Sequence, residues 1–260
     1  MSKKSSVLIT GASSGIGTLY ADRFAKRGHD LVLVARDRAR LEALATRLRA
    51  ETGVEVDVLP ADLTSAAELA AVEARLREDV RIEILVNNAG ATIPGTYLDQ
   101  TPDHVSQLID LNVVSLARLT SAIAPRLAAA KTGAIINIGS VVGLAPEFVS
   151  AVYGATKAFV LYLSQALQLE LGPKGVYVQA VLPAATRTEI WERGGRDISK
   201  IPNLMDVEDL VDAALVGFDR REAVTIPPLH EVEQWETFDA ARRAMLPGYG
   251  QAQPAPRYRS

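Results

Sequence analysis

The sequence predicts an α/β protein whose single domain is built on a doubly wound parallel sheet with helices on both faces. Apolar, β-branched runs alternate with longer helical patterns from the first residues to about Ile226. This alternation is typical of βαβ units, in which a helix returns the chain to start the next parallel strand. Runs such as Leu31–Val34 are apolar at every position, as expected of strands that are covered on both faces.

Seven strands are predicted, with helices between them. The strands are Ser6–Thr10, Asp30–Ala35, Glu55–Pro60, Ile84–Asn87, Gly133–Ile138, Tyr177–Leu182 and Ala223–Ile226. The helical stretches carry apolar residues three and four positions apart, as in the stretch Leu41–Leu48. Right-handed crossovers between such units place a ligand site beyond the carboxyl ends of the strands.

The domain is expected to occupy residues 1–245, since a chain of 260 residues falls within the range of one α/β domain. The stretch at about 189–206 departs from the alternation and contains the pair Gly194-Gly195, which indicates a mobile lid or substrate loop. Residues 246–260 are rich in Pro, Gly and Gln, so we expect an extended or disordered tail there.

Composition excludes several classes of function. The formal net charge is −3 and the basic residues are dispersed, so we expect no nucleic-acid partner. The chain has no cysteine, which rules out disulfides, thiolate catalysis and cysteine-ligated metals. The histidines His29, His104 and His230 lack the spacing of metal ligands, so no metal site is expected.

The sequence predicts a cytoplasmic localisation. The segment before the first strand is short and polar and leaves no room for a signal peptide. No apolar run approaches the ~18 residues that a membrane span needs, and we therefore expect no membrane partner.

A glycine-rich turn follows the first strand and precedes a helical pattern. Glycines at this junction allow a tight turn and a close approach of the backbone to a pyrophosphate, whose charge lies at the helix N-terminus. The order of strand, turn and helix therefore predicts the dinucleotide site of a Rossmann fold. The residues expected to bind the cofactor are Gly11, Ser13, Ser14, Gly15, Ile16 and Gly17.

The spacing Gly-x-x-x-Gly-x-Gly after Thr10 resembles the short-chain dehydrogenase/reductase family. The resemblance covers roughly Ser5 to Ile226, with the further motifs below in the family's order. It implies an oxidoreductase that interconverts a carbonyl and an alcohol by hydride transfer to or from a nicotinamide cofactor.

The second strand ends at Ala35-Arg36-Asp37, where an acidic residue would bind the adenosine ribose of NAD. Position 36 is basic, and the planar guanidinium of Arg36 suits a 2′-phosphate. We therefore expect NADP in preference to NAD. Two roles are open for Asp37. It either caps the helix that starts at Arg38, or it reaches the adenosine ribose and restores NAD binding.

The resemblance implies further cofactor contacts after the third and fourth strands. Asp62 is expected to accept a hydrogen bond from the adenine amino group, with Leu63 packing nearby. In the stretch Asn87-Asn88-Ala89-Gly90, Asn87 and Gly90 are expected to bring backbone and amide groups against the adenosine ribose.

After the sixth strand the family usually has Pro-Gly, whereas this chain has Pro183-Ala184. The backbone of this segment is expected to bond the nicotinamide carboxamide. Thr186 and Thr188 are the side chains expected to contribute there.

Ser140 follows the fifth strand, and Tyr153 and Lys157 lie four residues apart on a helical stretch. This gap puts both side chains on one helix face. A phenol with a pKa of about 10 is a poor proton-transfer group near neutrality. Lowering its pKa by roughly three units takes about 4 kcal/mol, which needs a buried cation and also the positive charge of the cofactor.

In the family that the chain resembles, this tyrosine is the general acid in reduction and the general base in oxidation. Lys157 would also hold the nicotinamide ribose, so Tyr153 and Lys157 count as cofactor-binding residues too. Ser140 would hydrogen-bond the substrate oxygen. Asn112 is expected to break a helix locally and to hold a water that connects Lys157 to solvent.

Other readings remain. A non-catalytic NADP-binding sensor or scaffold would keep the fold, and an epimerase or dehydratase would have a larger C-terminal substrate domain. The substrate is expected to be a small-molecule carbonyl or alcohol whose pocket depends on the segment Val141–Ser150 and the 189–206 loop. Apolar residues in these segments suggest an apolar pocket, although core or interface packing would demand the same residues; they are Val141, Val142, Leu144, Phe148 and Trp191. The resemblance also implies a homodimer or homotetramer that pairs helices near Val105–Ala130 and Tyr153–Leu171.

Overall fold

The computed structural model describes residues 5–195 and 197–259, and the chain divides into two compact units, Met1–Pro227 and Pro228–Ser260. The first unit is a parallel sheet of seven strands, which confirms the predicted fold class. The strands are β1 (Ser6–Thr10), β2 (Asp30–Ala35), β3 (Val56–Pro60), β4 (Ile82–Asn87), β5 (Ala134–Ile138), β6 (Tyr177–Val181) and β7 (Val224–Thr225).

The strand order is β3-β2-β1-β4-β5-β6-β7, so the direction of winding reverses between β1 and β4. Ligands of open α/β sheets bind at such a switch point, outside the carboxyl ends of the strands. The chain segments that follow β1 and β4 meet there.

The helices of the first unit cover both faces of the sheet. They are α1 (Gly15–Lys26), α2 (Arg38–Thr52), α3 (Ala66–Glu78), α4 (Pro102–Ile109), α5 (Leu116–Ala130), α6 (Ala151–Leu171), α7 (Ile190–Arg193) and α8 (Val207–Asp219). Val7 on β1 packs with Phe24 of α1 in one core cluster, whereas its neighbour Leu8 packs with Leu119 of α5 in the other. Successive strand residues point to opposite faces, and so an all-apolar strand supplies both cores.

Local signals set several helix ends. The Asp37 side chain accepts a hydrogen bond from the backbone N–H of Arg40 at 3.0 Å, which confirms the predicted cap of α2. Gly53 ends the same helix with φ of +70°, a conformation that glycine adopts without steric cost. The Thr101 side chain caps α4, as Asp37 caps α2, by accepting a hydrogen bond from the backbone N–H of His104. Pro102 occupies the first helical position.

Within the described residues, one helical stretch, Pro102–Ala130, is long and apolar enough by length and composition to span a membrane. The sequence analysis expected no apolar run of that length, and Asp110, Asn112 and Arg118 do lie within the stretch. The apolar face of the stretch packs on the sheet through residues such as Leu119 and Leu127. Core packing accounts for part of this apolar character, since 44% of the apolar window is buried.

The second unit contains α9 (Val232–Ala244), a helix that the sequence reading did not identify. The segment predicted as an extended or disordered tail has two short 3₁₀ turns, Leu246–Gly250 and Pro256–Tyr258. None of the described residues of the second unit, from Pro228 onward, is buried.

Candidate active site

The glycine turn after β1 is closely packed. Gly11 and Gly15 have φ of +66° and +54°, which L side chains rarely adopt. A Cβ at Gly17 would collide with the carbonyl oxygen of Gly11 and lie 2.5 Å from Nδ2 of Asn88. Ser14, the N-cap of α1, makes no side-chain cap, so the backbone N–H groups of the first turn remain available to an anion. This cradle fits the pyrophosphate of a dinucleotide.

Asn88, which the sequence analysis did not identify as a functional residue, holds the turn against the end of β4 by hydrogen bonds. Its Nδ2 donates to the carbonyl oxygens of Thr10 at 2.9 Å and Gly11 at 3.2 Å. The hydroxyl of Thr10 accepts from the backbone N–H groups of Asn88 and Ala89, each at 3.0 Å. The signal in the sequence is the doublet Asn87-Asn88 at the end of a strand, in which two amides have two different roles.

The side chain of Asn87 points into the sheet layer. Its Nδ2 donates to Oγ1 of Thr120 and to Oδ1 of Asn137, both at 2.9 Å, and the residue is buried. The sequence reading expected this amide beside the adenosine ribose. The structure leaves only its backbone at the strand end, because successive strand residues alternate in direction.

Arg36 is exposed directly after β2. Burial raises the pKa of Asp62, but hydrogen bonds from Thr64 and the charge of Arg36 outweigh it and hold the pKa below its usual value. Arg36 and Asp62 therefore lie on the same side of the site, after neighbouring strands. Leu63 beside them is buried and belongs to the core cluster that contains Val34.

Three of the four predicted catalytic residues, Ser140, Tyr153 and Lys157, come together at the end of β5. The Ser140 hydroxyl accepts from the backbone N–H of Val142 at 3.2 Å, and it donates to the carbonyl oxygen of Pro183 at 3.3 Å. The ammonium of Lys157 donates to the carbonyl oxygen of Ile138 at 2.9 Å and lies 5.7 Å from the centre of the Tyr153 ring.

Burial favours the neutral forms of both titrating groups. It raises the pKa of Tyr153 to about 12, against the opposing effect of a hydrogen bond with Ser140. Burial also lowers the pKa of Lys157 to about 8. The phenol is therefore protonated at neutral pH in the protein alone. This agrees with the sequence argument, in which the pKa of the tyrosine falls only when the positive charge of the cofactor adds to that of Lys157.

Asn112 is buried within a π-helical turn, Asp110–Ser115, that joins α4 to α5. The helix is interrupted at this residue, where the sequence reading expected a break. The Asn112 side chain accepts from the backbone N–H of Ala91 at 2.9 Å and donates to its carbonyl oxygen at 3.0 Å and to Oγ1 of Thr156 at 3.2 Å. Asn112 thereby ties the segment after β4 to α6, next to Lys157.

Gly90 lies at the catalytic end of the site. A Cβ there would be 3.3 Å from Oδ1 of Asn112 and 3.6 Å from Nζ of Lys157. The sequence reading expected Gly90 beside the adenosine ribose. The missing side chain leaves room for the lysine ammonium, and the expected contact with the adenosine ribose stays a prediction.

The segment after β6 lies against the glycine turn. A Cβ at Gly15 would lie 3.0 Å from Cγ2 of Thr188. Thr186 is buried, and its carbonyl oxygen accepts from the indole N–H of Trp191 at 2.7 Å. A short parallel bridge joins Thr186 to Met205 and closes the base of the predicted 189–206 loop. Position 196 of that loop lies outside the described residues.

Comparison with known proteins identifies the family. A family model described as short chain dehydrogenase matches residues 5–198. Human 17-beta-hydroxysteroid dehydrogenase type 3 is 37% identical over 184 residues, which are 70% of this chain and 59% of that protein. The chain thus spans less than two thirds of the length of the first curated relatives that it matches, at 59% and 60% for two of them.

Two solved structures are similar over nearly the whole chain. A short-chain dehydrogenase from Sphingobium yanoikuyae, in complex with NADPH, is 64% identical with a TM-score of 0.97, covering 98% of this chain and 100% of that one. The bulky-bulky ketone specific alcohol dehydrogenase from Comamonas testosteroni is 54% identical with a TM-score of 0.93, covering 100% of both chains. The matched family model, the sheet order and these likenesses show that the chain belongs to the short-chain dehydrogenase family.

Proposed function

We propose that the protein is an NADP(H)-dependent oxidoreductase that interconverts a ketone and an alcohol, with Tyr153 as its general acid and base. The observation that carries the proposal is the meeting of Ser140, Tyr153 and Lys157 at one strand end, beside a glycine turn that fits a pyrophosphate. A non-catalytic binding protein would need the cradle alone.

The residues that would hold the cofactor line the strand ends in order. The glycine turn would take the pyrophosphate and Arg36 the 2′-phosphate, with Asp62 on the adenine side. Thr186 and Thr188 belong to the segment that covers the turn. When bound, NADPH supplies the hydride. The NADPH in the Sphingobium enzyme, which is 64% identical, supports this choice of cofactor.

The chain's own contribution to reduction is a proton and an electrostatic environment. The Tyr153 hydroxyl donates its proton to the substrate oxygen while the Ser140 hydroxyl hydrogen-bonds the same oxygen. The charged form of Lys157 stabilises the phenolate that remains. In oxidation the same phenolate accepts the proton from the alcohol.

We propose a ketone with two bulky, apolar substituents as the substrate. The name of the Comamonas enzyme supports this class. So do the apolar side chains between Ser140 and Tyr153, among which Val142 and Leu144 are half-buried and Phe148 and Val149 are exposed. Apolar side chains that remain exposed beside a polar site provide contact area for apolar substituents.

The test is NADPH oxidation with a series of ketones of increasing size, comparing wild type with Tyr153→Phe. We expect the wild type to turn over the larger ketones. In the variant kcat should fall by roughly 10²- to 10⁴-fold, about the contribution of a general acid. NADPH affinity and thermal stability are the controls, because the substitution removes a single hydroxyl.

A variant that retains more than about a tenth of wild-type kcat would show that Tyr153 is not the proton donor. Tight NADPH binding without turnover of any ketone or alcohol would favour the sensor or scaffold instead.

A further inference from the structure

An ion pair connects two parts of the chain that the sheet keeps apart. Nη1 of Arg40, in the first turn of α2, donates to both carboxylate oxygens of Glu189, at 2.9 and 2.8 Å. The two residues are 149 positions apart in sequence. Helix α2 follows β2 and Glu189 follows β6, and three strands, β1, β4 and β5, lie between β2 and β6 in the sheet.

The two ends of this ion pair are fixed at opposite sides of the glycine turn. On one side, the backbone N–H of Arg40 is bonded to Asp37, the residue after Arg36. On the other, Glu189 directly follows Thr188, whose methyl group lies against Gly15. The pair therefore crosses from the expected 2′-phosphate side to the expected nicotinamide side, over the turn that fits the pyrophosphate.

We propose that the Arg40–Glu189 ion pair is a strap across the NADP(H) groove, which must open each time the cofactor enters or leaves. The inference rests on the proposed cofactor, and it adds two residues that control cofactor exchange. Neither residue acts on the reacting atoms. Both are positioning residues that hold the segment after β6 against the glycine turn.

Solvent exposure determines what kind of effect to expect. The side chains of Arg40 and Glu189 are 48% and 42% exposed, so water screens the pair and its loss changes the folded state little. A strap that crosses a groove acts on the rates of entry and exit, because the cofactor waits for it to open. Association and dissociation should therefore change together.

The experiment is stopped-flow measurement of NADPH fluorescence on wild type, Glu189→Gln, Arg40→Gln and the double variant. We expect each single variant to raise both the association and the dissociation rate constant for NADPH by about two- to fivefold, with Kd nearly unchanged. The double variant should exchange NADPH no faster than the faster single variant, because either change alone breaks the Arg40–Glu189 pair. Arg40→Gln also removes the ion pair between Arg40 and Asp37, at 3.4 Å. The exchanged pair, Arg40→Glu with Glu189→Arg, should restore slow exchange.

The chain offers a matched control in the ion pair between Arg27 and Asp219. It also has two hydrogen bonds to the carboxylate, at 2.8 and 2.9 Å, here one from each Nη of Arg27. Its exposure is similar, but it joins the C-terminal end of α1 to α8, away from the turn. Asp219→Asn should leave both rate constants at their wild-type values.

Rate constants that stay at wild-type values in both single variants would overturn the strap. So would a weaker Kd for NADPH but not NADH in Arg40→Gln alone, since Arg40 would then be a ligand of the 2′-phosphate. A wild-type protein that binds no NADPH would contradict the proposed cofactor, and the strap with it. Absence of turnover with normal NADPH binding would contradict only the proposed reaction.

Discussion

Burial shifts the pKa values of the two titrating side chains of the site in opposite directions. The pKa of Tyr153 rises to about 12 and that of Lys157 falls to about 8. Both changes have the same cause, since a low-dielectric environment disfavours the charged form of either group. The tyrosine is thus kept as a proton donor, while the lysine titrates close to neutral pH.

The pH dependence of reduction follows from the lysine. Below pH 8 the ammonium of Lys157 is charged and stabilises the phenolate that forms when Tyr153 gives up its proton. Its pKa is lowered, so the charge is lost as the pH rises through about 8. We expect kcat for ketone reduction at saturating NADPH to fall through that range. A profile that stays flat to about pH 9.5 would contradict this role of Lys157.

Arg36 is the residue that should discriminate between the cofactors. Arg36→Asp removes a charge-assisted hydrogen bond to the 2′-phosphate and adds repulsion, so NADPH affinity should fall at least about tenfold while NADH affinity changes little. Fluorescence titration with both cofactors measures the difference. Arg38→Asp is the control, because Arg38 is also exposed, lies at the start of α2 and pairs with Glu42. A wild-type protein that prefers NADH would remove the basis for this assignment.

The two adjacent asparagines at the end of β4 connect different elements. Asn88 binds the glycine turn after β1, and Asn87 binds Thr120 of α5 and Asn137 of β5. Their substitutions should therefore have different consequences.

We expect Asn88→Ala to weaken NADPH binding and to lower the free energy of unfolding, because it frees the turn that forms the cradle. Asn87→Ala should lower the free energy of unfolding by about 1–3 kcal/mol, the cost of unsatisfied buried polar groups, with a smaller effect on NADPH affinity. Denaturant unfolding and NADPH titration of both variants measure the two quantities. Equal losses of NADPH affinity would show that Asn87 also shapes the cofactor site.

The strands were predicted to within a few residues, because a buried strand of a parallel sheet is apolar along its whole length. The last strand is shorter than predicted, Val224–Thr225 in place of Ala223–Ile226. Helix α9 was missed for a physical reason. It lies after the alternation of strands and helices has ended. Its apolar residues Val232, Trp235 and Phe238, three positions apart, are not buried, so they belong to no core that the alternation predicts.

At the scale of the whole molecule, helix α6 has two surfaces. One packs on the sheet through residues such as Val160, and the other leaves Tyr162 and Leu169 exposed by 76% and 79%. Large exposed apolar side chains on one helix favour contact with another protein surface. They support the expectation of a homodimer or homotetramer.

The joint substitution Tyr162→Glu with Leu169→Glu should therefore reduce the assembly to a smaller species without unfolding it. Light scattering coupled to size-exclusion chromatography measures the mass of both forms. A wild-type protein that is monomeric at micromolar concentration would contradict the expected assembly.

The sequence by itself determined the fold class, the glycine cradle and the pairing of Tyr153 with Lys157. Each of these is a local property: strand burial shows in composition, a tight turn requires glycine, and a gap of four residues places two side chains on one helix face. The sequence allows Asp37 either to cap α2 or to reach the ribose of a cofactor, and in the folded chain it caps α2.

Only the tertiary structure decided which distant groups meet. It turned the Asn87 amide into the sheet layer, brought Gly90 beside Lys157, and joined Arg40 to Glu189. The physical reason is that a sequence pattern reflects the surroundings that a residue shares with its near neighbours. The direction of a side chain at a strand end, and its partner across the sheet, depend on elements that pack there from elsewhere in the chain.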